Sequence, residues 1–285
     1  MILVSGATGQ LGGEVIRQLL RKGAKGRFAV LARDAAKAAQ WSDQGIEVRI
    51  ADFDQPESLA AAFAGIDIFL FISTMSTERG PQQAGVVRAA ALAGIRHIFY
   101  TGLAIRDITR SAVRSLMQSH FETETLIRDS GMGYTFLRNT IYADALPQIA
   151  GPDLRRDGIF LPAGSGRVPY AARAEMGEAI ANALLSEGHE GKTYTLTGPE
   201  AWSFSAIAET LSRQSGRSLA YVEITGEDLA RRLRAAGLPE FVIWLTSGTL
   251  SDIRDGQYDL ASDDLQTLLG RRPKDLDALL SELVR

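Results

Sequence analysis

Residues 1–16 read MILVSGATGQLGGEVI. The opening MILVS (1–5) has the apolar run of a strand covered on both faces. Glycines follow at 6, 9 and 12, and then Leu11, Val15, Ile16, Leu19 and Leu20 share one face of a helix that stops at Gly23. A strand, a glycine turn and a helix in that order suit the capture of an anion. Gly6 permits a tight turn, Gly9 lets the backbone approach a diphosphate, and Gly12 lets the helix lie close to the strand. The helix start adds unpaired N–H groups and partial positive charge. Gly6, Ala7, Thr8, Gly9, Gln10, Leu11 and Gly12 are therefore candidate diphosphate contacts. Their spacing, G-x-x-G-x-x-G, is one residue longer than G-x-G-x-x-G, so the flanking strand and helix carry the reading more than the triplet does.

Working outward, short β-rich runs alternate with amphipathic stretches. Residues 27–32 (RFAVLA), 47–51, 67–73 (DIFLFIS), 96–101 (RHIFYT) and 134–137 read as strands. Residues 34–44, a stretch starting near Asp54, Pro56 and Glu57, and residues 84–93 and 115–129 read as helices. Strands separated by helices of this length cannot be hairpins. They require right-handed crossovers, so the expected class is α/β with a doubly wound, Rossmann-like parallel sheet over residues 1–150. Beyond it the pattern changes. Loops and short strands occupy 158–161 and 164–166, a helix 175–186, a strand 192–197 (KTYTLT), and a helix runs from Ser203 to Gln214 before Gly216. Residues 151–285 are expected to form a smaller, mainly helical C-terminal α/β lobe that binds substrate and is not clearly independent.

Composition narrows the chemistry. The 285 residues include 45% hydrophobic and 23% charged side chains, ordinary for a soluble globular chain with a sizeable core. A net charge of −3 disfavours a nucleic-acid partner. With no cysteine there is no disulfide framework, thiolate nucleophile or Cys-ligated metal. Only three histidines exist (His97, His120, His189), without ligand spacing, so no metal centre is expected. No apolar run approaches the ~20 residues of a membrane span, and no basic, then hydrophobic, leader opens the chain. A cytoplasmic protein is the expectation, with a homodimer kept open.

The end of the second strand selects the nucleotide. An acidic residue there usually accepts from the ribose 2′-hydroxyl of NAD. Here Arg33 stands first, and its planar fork suits a 2′-phosphate, so NADP(H) is favoured. Asp34, immediately after, keeps an NAD reading open. Lys37 either assists Arg33 or is simply solvated. Asp52 and Phe53, after the third strand, either hold the adenine or serve as turn residues.

With these residues in place, the chain resembles the atypical short-chain dehydrogenase/reductase superfamily, in its NmrA-like branch. That branch contains NADPH-dependent quinone oxidoreductases and triphenylmethane reductases. The resemblance rests on ILVSGATGQLGGEVI, VLARDAAKA, QGIEVRIADFDQPESLAAAFAGID, HFETETLIRDSGMGYTFLRNTIYAD, GHEGKTYTLTG and WSFSAIAETLSRQSG, which together span most of the sequence. It implies coenzyme contacts from the glycine loop, Arg33, Ser73, Thr74, Met75, Arg138, Asn139, Thr140, Ile141, Tyr142 and Ala143. It also implies that Arg167, Val168, Pro169, Tyr170, Ala171 and Ala172 close over the nicotinamide side. Bland readings stand beside these: a surface ion pair for Arg138, a helix cap for Asn139, and a core position for Tyr142.

Many classical members use a Tyr-x-x-x-Lys pair for proton transfer. None of the seven tyrosines here has a lysine four residues on, and 115–129 holds no lysine. Alcohol oxidation through a tyrosinate is therefore not expected. Hydride delivery to a quinone-like acceptor demands less, because the product's charge is delocalised and water can protonate it. Tyr100, His120, Asn139 and Tyr142 are the candidates for orienting the acceptor. Phe241 and Trp244 either line its pocket or form core. An NADP-sensing regulator without turnover and a triphenylmethane-dye reductase are the alternatives.

Overall fold

The computed structural model describes residues 1–151 and 158–283. In chain order its elements are β1 (Ile2–Val4), α1 (Gln10–Arg21), β2 (Phe28–Ala32), α2 (Ala39–Ser42), β3 (Glu47–Ile50), α3 (Leu59–Phe63), β4 (Ile68–Ile72), α4 (Arg79–Leu92), β5 (His97–Leu103), α5 (Arg114–Met117), α6 (Ser119–Asp129), β6 (Gly133–Asn139) and α7 (Leu146–Ala150). They continue with β7 (Ile159–Leu161), β8 (Arg167–Val168), α8 (Arg173–Leu185), β9 (Lys192–Leu196), β10 (Trp202–Ser203), α9 (Phe204–Ser215), β11 (Tyr221–Glu223), α10 (Gly226–Ala235), α11 (Glu240–Arg254), α12 (Asp264–Leu269) and α13 (Leu276–Leu283). Among the described residues no helix is long and apolar enough to cross a membrane.

The main sheet is doubly wound and Rossmann-like. Its order is β3-β2-β1-β4-β5-β6-β9, with β1 parallel to both β2 and β4 in the register Val4↔Val30 and Val4↔Leu70. β1 and β2 are buried throughout, because helices cover both faces of a parallel sheet. One layer of core runs along Phe63, Phe69, Phe71 and Tyr100, with Phe69 and Phe71 stacked 5.5 Å apart. α1 buries Leu11, Val15, Ile16 and Leu19, the expected apolar face.

The chain divides into two compact units. The first comprises Met1–Leu103, Leu116–Asn139 and Arg173–Thr195; the second comprises Ala104–Ser115, Thr140–Ala172 and Leu196–Arg285. A single boundary near 150 is thus corrected. α8 belongs to the first unit because it lies directly on α1: a Cβ on Gly177 would fall 2.5 Å from the Glu14 Cβ, so only glycine allows that approach. β9 belongs there because it extends the main sheet beside β6. The second unit, taken by itself, is helical with two small strand pairs, antiparallel β8–β10 and parallel β7–β11.

Two local expectations are also corrected. The alanine-rich stretch 34–44 is helical only over α2, since the Asp34 carboxylate draws the Ala36 and Lys37 N–H groups (2.8 and 3.4 Å) into a turn. Residues 115–129 split into α5 and α6 around Gln118.

Candidate functional site

The strand order reverses between β1 and β4, which is where an open α/β sheet leaves a crevice at its carboxyl ends. Ser5 N–H donates to Leu70 O at 3.0 Å and Ile72 N–H to Ser5 Oγ at 2.8 Å, fastening the two strand ends together. Beyond them the glycine loop turns back on itself. Gly6 has φ +65°, which a side chain resists, and Gly9 N–H donates to Gly6 O at 2.9 Å. A Cβ on Gly12 would lie 2.2 Å from Gly6 O, so α1 can begin this close to β1 only with glycine there. No acidic residue occupies the first turn of α1, so nothing neutralises the positive end of its dipole. The loop is a cradle shaped by missing side chains, fit for a diphosphate.

Beside it, Thr8, Arg33, Asp34, Lys37 and Asp52 line a cavity of about 250 Å³. Arg33 and Lys37 are exposed. The two carboxylates each have an oxygen engaged by their own backbone: Asp34 Oδ1 by Ala36 and Lys37, Asp52 Oδ1 by Asp54 N–H at 3.1 Å. The cavity sets two cations beside two carboxylates that are each partly engaged. Phe53 is buried edge-on against Phe71, with ring centroids 5.3 Å apart.

At the end of β4, Ser73 N–H donates to Thr101 Oγ1 at 3.0 Å, Thr74 O accepts from Arg79 at 3.2 Å, and Met75 is exposed. The Arg138 guanidinium is bound fork-on by the buried Glu124 carboxylate at 2.9 and 2.6 Å and lies over the Phe121 ring, an ion pair of the kind set beside its coenzyme reading. Asn139 ends β6, buried, in the first unit; Tyr142 is half-buried in the second, where it bridges to Ala171. Arg167 is exposed and donates to Ala201 O at 2.6 Å, whereas Val168 to Ala172 are buried. The Tyr170 hydroxyl in that stretch is buried with no hydrogen-bond partner among the described residues, and burial pushes its pKa up.

Tyr100 and His120 meet inside the first unit. The Tyr100 hydroxyl donates to Gln83 Oε1 at 2.9 Å and lies 3.0 Å from His120 Nδ1, while Thr123 donates to the same Gln83 oxygen at 2.6 Å. Nearby, the buried Arg79 donates to Ser119 Oγ, Leu116 O and Thr74 O. Desolvation, with the adjacent Arg79 charge, holds His120 neutral with its pKa lowered to about 3, and desolvation also pushes the Tyr100 phenol well up. Neither group is presented to solvent: Tyr100 is 0% and His120 6% exposed. The remaining histidines are tied locally, His97 to Thr135 at 2.8 Å and His189 to Tyr194 at 2.8 Å. Phe241 and Trp244 stand 5.9 Å apart on α11, with Trp244 partly exposed rather than core.

Sequence reasoning missed Arg79, Gln83 and Trp41. Trp41 is the one with a signal: a lone tryptophan in a stretch of alanines and polar residues marks a buried anchor.

Fold and crevice together define a dinucleotide-binding α/β protein. A model of the NmrA-like family matches residues 1–244, and the chain belongs to that family. It is 35% identical to quinone oxidoreductase 2 of Escherichia coli over 99% of this chain and 98% of the relative. The structure of that E. coli enzyme complexed with NADPH superposes with a TM-score of 0.93 at 34% identity, covering 100% of both chains. The triphenylmethane reductase of Citrobacter sp. complexed with NADP(H) gives a TM-score of 0.89 at 37% identity, over 98% of this chain and 99% of the other. An NAD(P)H azoreductase of Xenophilus azovorans is 30% identical over 96% of this chain and 92% of its own.

Proposed function

We propose that the chain is an NADPH-dependent oxidoreductase delivering a hydride to a quinone or similar conjugated acceptor. One observation carries the coenzyme half: the glycine cradle leads through Thr8 into a cavity walled by Arg33 and Lys37. The acceptor half is supported by the quinone and dye reductases that the chain is similar to.

When bound, NADPH supplies the hydride. The chain's residues bind and orient. Gly6, Gly9 and Gly12 admit the diphosphate to the backbone, the α1 N-terminus faces its charge, and Arg33 with Lys37 neutralises the 2′-phosphate. Ser73, Thr74, Met75 and the stretch 167–172 are assigned to further coenzyme contacts. Asn139 and Tyr142 are assigned to the acceptor, each to be tested alone. A conjugated acceptor needs no strong side-chain acid, since water protonates a delocalised product anion. That is consistent with Tyr100 and His120 being sealed. The reading includes a cytoplasmic location, with a homodimer as the assembly to test by light scattering.

The test is to mix purified protein with NADPH and a panel of quinones and follow nicotinamide absorbance. NADPH oxidation that depends on the quinone and is slower with NADH is expected. Tight NADPH binding without turnover on any acceptor would instead indicate a sensing protein, and equal rates with NADH would contradict the Arg33 assignment.

A further inference from the structure

Trp41 joins the two parts of the crevice. It is 2% exposed, lies on the short α2, and its indole Nε1–H donates to the Ala7 carbonyl at 2.8 Å across 34 residues of chain. Its own carbonyl accepts Gln44 and Ile46 N–H, both at 3.1 Å, so the residue is held from its backbone as well. The segment running into α2 is the one that carries Arg33 and Lys37. It is kept in its turn by Ala38 N–H on Asp34 O (3.2 Å) and by the Asp34 carboxylate. One side chain therefore ties the cationic wall of the cavity to the glycine loop.

The geometry of the peptide shows what the tie does. Ala7 C=O and Thr8 N–H belong to one rigid trans unit and point to opposite sides of it. With the oxygen held on a buried indole, the Thr8 N–H is turned away from Trp41. Thr8 is exposed and lines the cavity with Arg33 and Lys37. A carbonyl already accepting a hydrogen bond also polarises its peptide, which strengthens the N–H donor at the other end. A phenylalanine at 41 would fill much of the same space but could not hold the oxygen.

We propose that Trp41 is a positioning residue for the 2′-phosphate: its indole N–H fixes the Ala7–Thr8 peptide so that the loop and the Arg33 wall act on that phosphate together. The inference rests on the NADPH reading and is tested separately from it. Calorimetry measures adenosine 2′,5′-bisphosphate and adenosine 5′-monophosphate on the wild-type protein and on Trp41→Phe. The wild type should prefer the bisphosphate, and Trp41→Phe should reduce that preference about fivefold to tenfold, the ordinary worth of one neutral hydrogen bond. KM for NADPH should rise by the same factor while KM for NADH stays near its original value. If the wild type shows no preference for the bisphosphate, the NADPH reading fails. If the wild type prefers it and Trp41→Phe keeps the full preference, or weakens both nucleotides equally, Trp41 is only structural and the proposal falls. Should Trp41→Phe not fold, benzothienylalanine at position 41 keeps the ring shape without the N–H and decides by the same measurements.

Discussion

The glycine-loop crevice and the Tyr100–His120 cluster are built on the same sheet of the same unit, yet they treat polar groups in opposite ways. At the crevice, Thr8 and the cations Arg33 and Lys37 are exposed and line an open cavity. In the cluster, the Tyr100 and Thr123 hydroxyls converge on Gln83 Oε1, His120 Nδ1 lies against the Tyr100 hydroxyl, the Gln83 amide nitrogen is buried, and Arg79 is bound by Ser119 and two carbonyls. The residue types in the cluster are those of catalysis; their surroundings are those of a core. Availability, more than residue type, separates a binding surface from an interior polar network.

The contrast can be broken most severely at Gly12. Gly12→Ala places a methyl group on Gly6 O. Overpacking of this kind costs about 1–3 kcal/mol or more, so NADPH affinity should fall on the order of a hundredfold, with Tm also lowered. Wild-type affinity by calorimetry would mean the cradle is not where the coenzyme sits. Next comes Arg33→Ser, which removes charge-assisted hydrogen bonds worth about 1.5–3 kcal/mol. KM for NADPH should rise about tenfold to a hundredfold and KM for NADH hardly change. Tyr100→Phe should do the reverse: quinone turnover within about threefold of wild type, but stability lower by about 1–3 kcal/mol as buried partners lose a bond. A collapse of turnover in a folded Tyr100→Phe protein would show that the cluster opens during the reaction.

The smallest effect on turnover should come from titrating His120. Its folded pKa, about 3, lies below the ordinary value of 6.5. The unfolded chain therefore binds the extra proton first, and this contribution to stability is complete above about pH 6.5 and lost as pH falls below it, with a slope of up to about 1.4 kcal/mol per pH unit. Burial likewise lowers the pKa of His97 and His189, which add to the same slope. Chemical denaturation between pH 5 and 7 should show this dependence, weakened in His120→Gln, while kcat shows no step from His120.

What could be read from the sequence follows the same division. The strand, glycine turn and helix that open the chain, and the strand that ends just before Arg33, are legible because their signals are local. The partners of Phe53 and Arg138 are not legible, because nothing near Phe53 in the chain announces Phe71, and Glu124 binds Arg138 only once β6 lies beside α6. The helix expected over 34–44 failed because one carboxylate, Asp34, offers the backbone a competing turn. β9 reads as a strand from its alternation, but alternation reveals a half-buried strand and not the sheet it joins, so its place beside β6 emerges only in the fold.

The place of that strand bears on how the protein is made. β9 is the neighbour of β6 in the main sheet, and it is separated from β6 in sequence by a long segment of the second unit. During synthesis the sheet stays one strand short until residue 196 has emerged, leaving the β6 edge open to pairing with another nascent chain. A gene cut after residue 150 would produce a fragment fixed in that condition, so expression as two separate halves invites aggregation where full-length translation does not.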